Sequence, residues 1–76
     1  MNHATKANYD KIFRKYEKTT LSKKELAIEM SISLSTLNRL IYKDECPISY
    51  TLLGNKYVFT VSSLSEYIAA IDLLAA

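Results

Sequence analysis

A mainly α-helical domain carrying one small β-hairpin is the fold class this 76-residue chain predicts. Three observations carry that prediction. Apolar residues recur at helical spacing in three stretches, within residues 8–18, 22–43 and 63–74. The middle stretch divides into two short amphipathic helices around a turn. The single Gly, Gly54, stands beside Asn55 between two runs in which apolar and polar residues alternate. Helix, helix-turn-helix, hairpin and helix in that order describe a winged helix-turn-helix with an extra N-terminal helix.

Residues 1–7 carry no periodic pattern and are expected to be a flexible tail, leaving 8–76 as one domain. From Asn8 to Lys18, the apolar residues Tyr9, Ile12, Phe13 and Tyr16 fall at i, i+3, i+4 and i+7 and form one stripe. Lys11, Arg14, Lys15 and Lys18 occupy the other faces. The stripe serves either as a strut against the core or as a dimer interface.

Ser22 and Glu25 have the spacing of a capping box, in which hydroxyl and carboxylate each satisfy the other residue's amide. Leu21 precedes the cap as a hydrophobic staple. Leu26, Ala27 and Met30 face inward from the first helix, Ile32 from the turn, and Leu37 and Leu40 from the second. The first helix is expected to end near Ser31. Ser33 caps the second, which runs to about Lys43 and is broken by 44–47, since Pro47 cannot continue a helix.

Placing Gly54–Asn55 at the tip of a type II′ turn sets the hairpin register over 48–61. Leu52 then opposes Tyr57, Tyr50 opposes Phe59 and Ile48 opposes Val61, all on one face. Leu53 with Lys56, Thr51 with Val58 and Ser49 with Thr60 share the other. A slip of one residue would mix the two faces. Ser63 and Glu66 suggest a second capping box opening the last helix, with Leu64, Tyr67, Ile68 and Ile71 as its buried stripe. Leu73 falls off that stripe and is either exposed or packed against another subunit.

Composition narrows the function. The 49% apolar content with one Pro and one Gly suits a packed globule. A lone Cys46 and a lone His3 give no internal disulfide, no zinc site and no nucleophile–base pair, so neither an enzyme nor a cofactor or metal protein is expected. No apolar run reaches the ~18 residues of a membrane span, and the cytoplasm is the expected compartment. The net charge of +2 is uneven. Residues 1–43 hold nine Lys or Arg against four acids, a net +5, while 44–76 hold one Lys against four acids, a net −3. A phosphate-binding face therefore belongs to the basic half, where a solvated lysine-rich surface is the plain alternative.

The stretches LSKKELA (21–27), SLSTLNRL (33–40), Pro47, and GNKYVF (54–59) leading into SLSEYI (63–68) are similar to the excisionase-like, MerR-related DNA-binding domains of phages and mobile elements. The resemblance spans about Thr20 to Ile68. It implies a double-stranded DNA-binding protein, either a transcriptional regulator or a recombination directionality factor. Ser31 stands where relatives carry a turn Gly, the wing has only Lys56 where they often have two or three basic residues, and the helix at 8–18 lies outside the pattern.

By that resemblance the helix 34–42 enters the major groove. Leu34, Ser35, Asn38 and Arg39 are its base-contacting candidates: Arg39 suits guanine O6 and N7, and Asn38 suits adenine N6 and N7. Leu34 meets either a thymine methyl or the protein's own wing or a neighbouring helix. Phosphate contacts fall to Lys23, Lys24, Thr36, Tyr42, Lys43, Asn55 and Lys56. Positive charge in the first turn of a helix is unfavourable unless an anion offsets it, which draws attention to Lys23 and Lys24. So few base-reading groups cannot select a genomic site, so a homodimer or a cooperative array on repeated sites is expected, joined through the N-terminal helix or the Leu73–Leu74 end. An integrase or another phage or host protein is a further partner. The rival reading is a protein-interaction module that uses the same scaffold to bind a host protein.

Overall fold

The computed structural model describes residues 2–75; Met1 and Ala76, at the ends of the expected tail and domain, lie outside the described residues. In chain order it contains α1 (His3–Tyr16), β1 (Thr20–Leu21), α2 (Lys23–Glu29), α3 (Leu34–Tyr42), β2 (Tyr50–Leu53), β3 (Lys56–Thr60) and α4 (Val61–Ala75). Four helices and one three-stranded antiparallel sheet make a small, mainly helical unit.

The expected N-terminal tail is helix instead. Asn2 caps α1, its Oδ1 accepting from the Thr5 amide at 2.8 Å, and Thr5 is buried. An Asn cap followed by Ala4 and Ala7 is enough to start a helix without any apolar period to announce it. At the other end α1 stops two residues early. Glu17 turns left-handed with φ 55°, and its amide donates to the Phe13 carbonyl. The stripe packs within the chain: Ile12 is buried, Tyr9 and Tyr16 lean on the core, and α1 lies along α4. Phe13 stays 39% exposed, stacked on Tyr9 at 6.0 Å.

The helix pair forms as its caps predict. Ser22 and Glu25 close the capping box, and the Ser33 hydroxyl accepts from the Thr36 amide at 3.1 Å. Ser31 takes the glycine-like conformation, φ 59°, at the end of α2. Its amide donates to Ile28 at 3.1 Å and the Ile32 amide to Ala27 at 3.0 Å, the bond pair that closes a Schellman turn and returns Ile32 to the core. Asp44, φ 58°, repeats the device after α3, with Asp44 donating to Ile41 and Glu45 to Leu40. The break thus comes before Pro47. From α3, Leu37 and Ile41 reach the core; Leu40, expected there, lines a surface groove.

The hairpin has the expected register from Tyr50↔Phe59 to Leu53↔Lys56. Gly54 has φ +63° while Asn55 is not left-handed, as a type II′ turn requires. The two rungs farther from the tip are absent. Instead β1 takes the free edge of β3, pairing Thr20 with Thr60 and Leu21 with Phe59, so the sheet order is β1-β3-β2. Leu21 is accordingly a buried strand residue.

The last helix follows β3 without a loop and begins at Val61, two residues before the expected start. Thr60 is its cap, its Oγ1 accepting from the Ser63 amide at 3.0 Å. The Ser63–Glu66 box does not form, because Ser63 is already inside the first turn. Of the expected stripe, Leu64 is fully buried and Tyr67 and Ile68 pack half-buried against the core; Val61, Ser65 and Ala69 join the buried set, and Ile71 is left 43% exposed. Buried Ser65 satisfies its hydroxyl on the Val61 carbonyl at 2.7 Å.

Candidate nucleic-acid interface

The β1–β3 pairing sets the start of α2 beside the hairpin, and the Ser22 box holds Lys23 and Lys24 in the first turn there. Across from them the Gly54 turn presents Asn55 and Lys56. Leu34, the first residue of α3, closes the third side, and Lys18 and Thr20 the fourth. The result is an open groove of about 590 Å³ whose lining includes four lysines and no carboxylate. Lys18 has a partner of its own at the rim, Glu25 at 2.8 Å.

Lys23 is more constrained than its neighbour Lys24. Its ammonium lies 4.7 Å from the centre of the Tyr57 ring and donates to Asn38 Oδ1 at 3.0 Å. Tyr57 meets Tyr50 edge-on at 5.2 Å, and Tyr50 rests on fully buried Phe59 at 5.7 Å. A continuous line of contacts therefore joins the core, the hairpin, α2 and the exposed face of α3.

On α3, Ser35, Asn38, Arg39 and Tyr42 all point away from the core side held by Leu37. Arg39 has no carboxylate partner among the described residues. Tyr42 is 92% exposed. Leu34 is half-exposed and lines the groove together with the hairpin residues, which puts it near the hairpin without burying it there. Thr36 lies on the flank of α3 away from Asn38, half-buried, its hydroxyl 2.9 Å from that of Ser33. Lys43 is exposed at the far end of α3, outside the groove.

Of the residues singled out from sequence, Lys23, Lys24, Leu34, Asn55 and Lys56 share one groove, and Asn38 joins them through Lys23. Ser35, Arg39 and Tyr42 form the adjoining exposed face, while Thr36 and Lys43 stand apart. Lys18, Thr20 and Tyr57 were not anticipated. Tyr57 had a usable signal, sharing a hairpin face with Tyr50 next to a lysine; Lys18 and Thr20 depend on a two-residue strand that leaves no pattern.

A second, apolar groove of about 560 Å³ lies at the other end of the helix pair, lined by Met30, Ile32, Leu40, Pro47, Tyr67, Ile68 and Ile71, with Glu29 and Glu45 beside them. Beyond it Leu73 and Leu74 are 75% and 87% exposed. No described helix is long and apolar enough to cross a membrane.

Fold and surface together define a small helical domain with a lysine-lined groove beside an exposed polar helix face. Compared with known proteins, the chain matches no family model, no curated protein and no solved structure.

Proposed function

We propose that this protein is a winged helix-turn-helix module that binds double-stranded DNA with sequence preference. In this reading α3 enters the major groove, and the β2–β3 hairpin with Lys24 grips the adjacent backbone. The observation that carries it is the adjacency of two surfaces: an α3 face with an unpaired guanidinium, and a groove with four lysines and no acid. A base-reading face needs positioned donors, and a backbone-gripping face needs cations beside it. The resemblance to excisionase-like domains supports a role as a transcriptional regulator or a recombination directionality factor of a mobile element. The cytoplasm, at the nucleoid, and an integrase as partner go with that role.

Fluorescence anisotropy on short duplexes tests the proposal. Arg39→Ala is expected to lower affinity for the preferred site by about 1–3 kcal/mol and to relax sequence preference. Lys24→Ala is expected to weaken all duplexes alike and to flatten the log–log salt dependence by about 0.9. If neither substitution alters binding to any duplex, the protein-interaction reading takes over. The apolar groove flanked by Glu29 and Glu45 is the observation that favours that second reading.

A further inference from the structure

The contact between Lys23 and Asn38 constrains which base the helix face can accept. An asparagine reads adenine by accepting from N6 and donating to N7, so it must offer one group of each kind. A lysine ammonium has donors only. With its Nζ 3.0 Å from Asn38, the carboxamide is held with Oδ1 toward Lys23 and its NH₂ group free. The second lone pair of Oδ1 remains, but a positive charge stands beside any N–H that approaches it. Lys23 is itself held by the Tyr57 ring, which is braced through Tyr50 on Phe59. Its neighbour Lys24 has no such restraint and is exposed.

We propose, on the DNA-binding reading above, that Lys23 is a positioning residue that sets specificity: it turns Asn38 into a donor-only group, so the hairpin side of α3 selects guanine over adenine. The free Asn38 NH₂, the ammonium N–H groups not spent on Oδ1 and the guanidinium of Arg39, the next residue along α3, are then all donors. Guanine presents N7 and O6, both acceptors, to such a set. Adenine presents its N6 amino group, a donor facing donors. A phosphate oxygen offers the same acceptor chemistry, and the experiment separates the two.

The test is selection of binding sites from a randomised duplex pool by the full chain and by Asn38→Ala, Lys23→Met and Tyr57→Leu. Methionine keeps an unbranched stem over Tyr57 while removing the charge and the donor; a retained thermal transition checks folding, and Tyr57→Leu gives an independent route to the same loosening. The expected result is a guanine in the wild-type site that loses its preference in Asn38→Ala. In Lys23→Met the guanine-to-adenine ratio at that position should fall by about tenfold or more, with the Arg39-dependent position unchanged. Tyr57→Leu should move the ratio in the same direction. Adenine at that position in the wild-type site, or an unchanged ratio in Lys23→Met, overturns the inference and leaves the DNA reading intact. Uniform weakening of all duplexes by Asn38→Ala assigns Asn38 to phosphate and also overturns it. Failure of the wild-type protein to retain any duplex overturns both.

Discussion

Ser31 and Asp44 hold the two left-handed positions that close α2 and α3, with φ of 59° and 58°. A residue with a Cβ is strained there by roughly 1–2 kcal/mol, while Gly is unstrained but loses about 0.5–1 kcal/mol more backbone entropy on folding. Ser31→Gly is therefore expected to stabilise the fold by about 0.5–1 kcal/mol. In a domain of this size that raises the midpoint of a calorimetric melt by about 2–8 °C. Helix starts allow a paired comparison. Thr60→Ala removes the cap of α4 and should cost about 1 kcal/mol, whereas Glu66→Ala, at a box that does not form, should stay within about 0.5 kcal/mol in urea unfolding. Caps were legible in the sequence where the apolar stripe fixed the helix start, as at Ser22, whose Glu25 completes a box, and at Ser33. They were not at α4, where Ser63–Glu66 and Thr60 compete and the strand leading directly into the helix decides. The same limit applies at Asn2, which caps a helix with no large apolar residue before Tyr9.

α1 and the segment that follows it are tied to α2 by two acids. Lys15 Nζ reaches Glu29 Oε2 at 2.7 Å and the Tyr16 hydroxyl donates to the same oxygen at 2.5 Å, while Lys18 reaches Glu25 at 2.8 Å. Partial burial pushes both carboxyls up, but the bonds from Lys15 and Tyr16 to Glu29, and from Lys18 and Ser22 to Glu25, outweigh it and leave each below its ordinary 4.5. A carboxyl depressed in the folded state contributes stability that is present above about pH 4.5 and is lost as pH falls through the depressed value. Urea midpoints measured from pH 7 down to 3 should therefore fall below about pH 4.5. In Glu29→Gln, which can still accept from Tyr16 but does not titrate, the fall should be smaller, and the variant should be less stable than wild type at pH 7. Elements with a strong period were legible: the stripe of α1, the helix pair and the hairpin register all follow from residue spacing. β1 was not, because two residues carry no period, and its pairing with β3 is a long-range choice. The stripe of α4 was legible at Leu64, Tyr67 and Ile68 but not in full. Small residues carry no apolar signal, so buried Ser65 and Ala69 could not be read from the spacing, and Ile71, one turn beyond Ile68, lies on the edge of the face and stays 43% exposed.

The whole molecule measures 33 × 27 × 18 Å, and its two grooves share no residue. α2 begins at the lysine-lined groove with Lys23 and Lys24 and ends at the apolar one with Glu29 and Met30; α3 likewise runs from Leu34 at the first to Leu40 at the second. A duplex held at the first groove would leave the second, with the exposed Leu73 and Leu74 beyond it, free for a neighbour. The charge split legible in the sequence, +5 over residues 1–43 and −3 over 44–76, follows the same division only in part, since the basic α1 packs on the acidic α4. On the proposed DNA-binding role, about five phosphate contacts would give one copy a log–log salt slope of about −4.5, and its few base-reading groups would not select a single genomic site. On that proposal copies would cooperate on repeated sites, and geometry would set their spacing. With the longest dimension, 33 Å, laid along the duplex, one copy would cover close to one turn of B-DNA, about 34–36 Å or 10–10.5 base pairs, and copies on the same side would touch when sites repeat at that interval. Two sites about 10 base pairs apart should bind two copies with positive cooperativity in a gel-shift titration, whereas sites about 15 base pairs apart should fill independently on opposite sides. Leu74→Glu should abolish the cooperativity by placing a charge on the apolar end of α4, and it should leave the affinity for one isolated site within about twofold, since Leu74 lies outside the lysine-lined groove. Equal occupancy curves at both spacings, with wild type and Leu74→Glu superimposed, would mean that the α4 end joins no copies and that selectivity resides in a single domain.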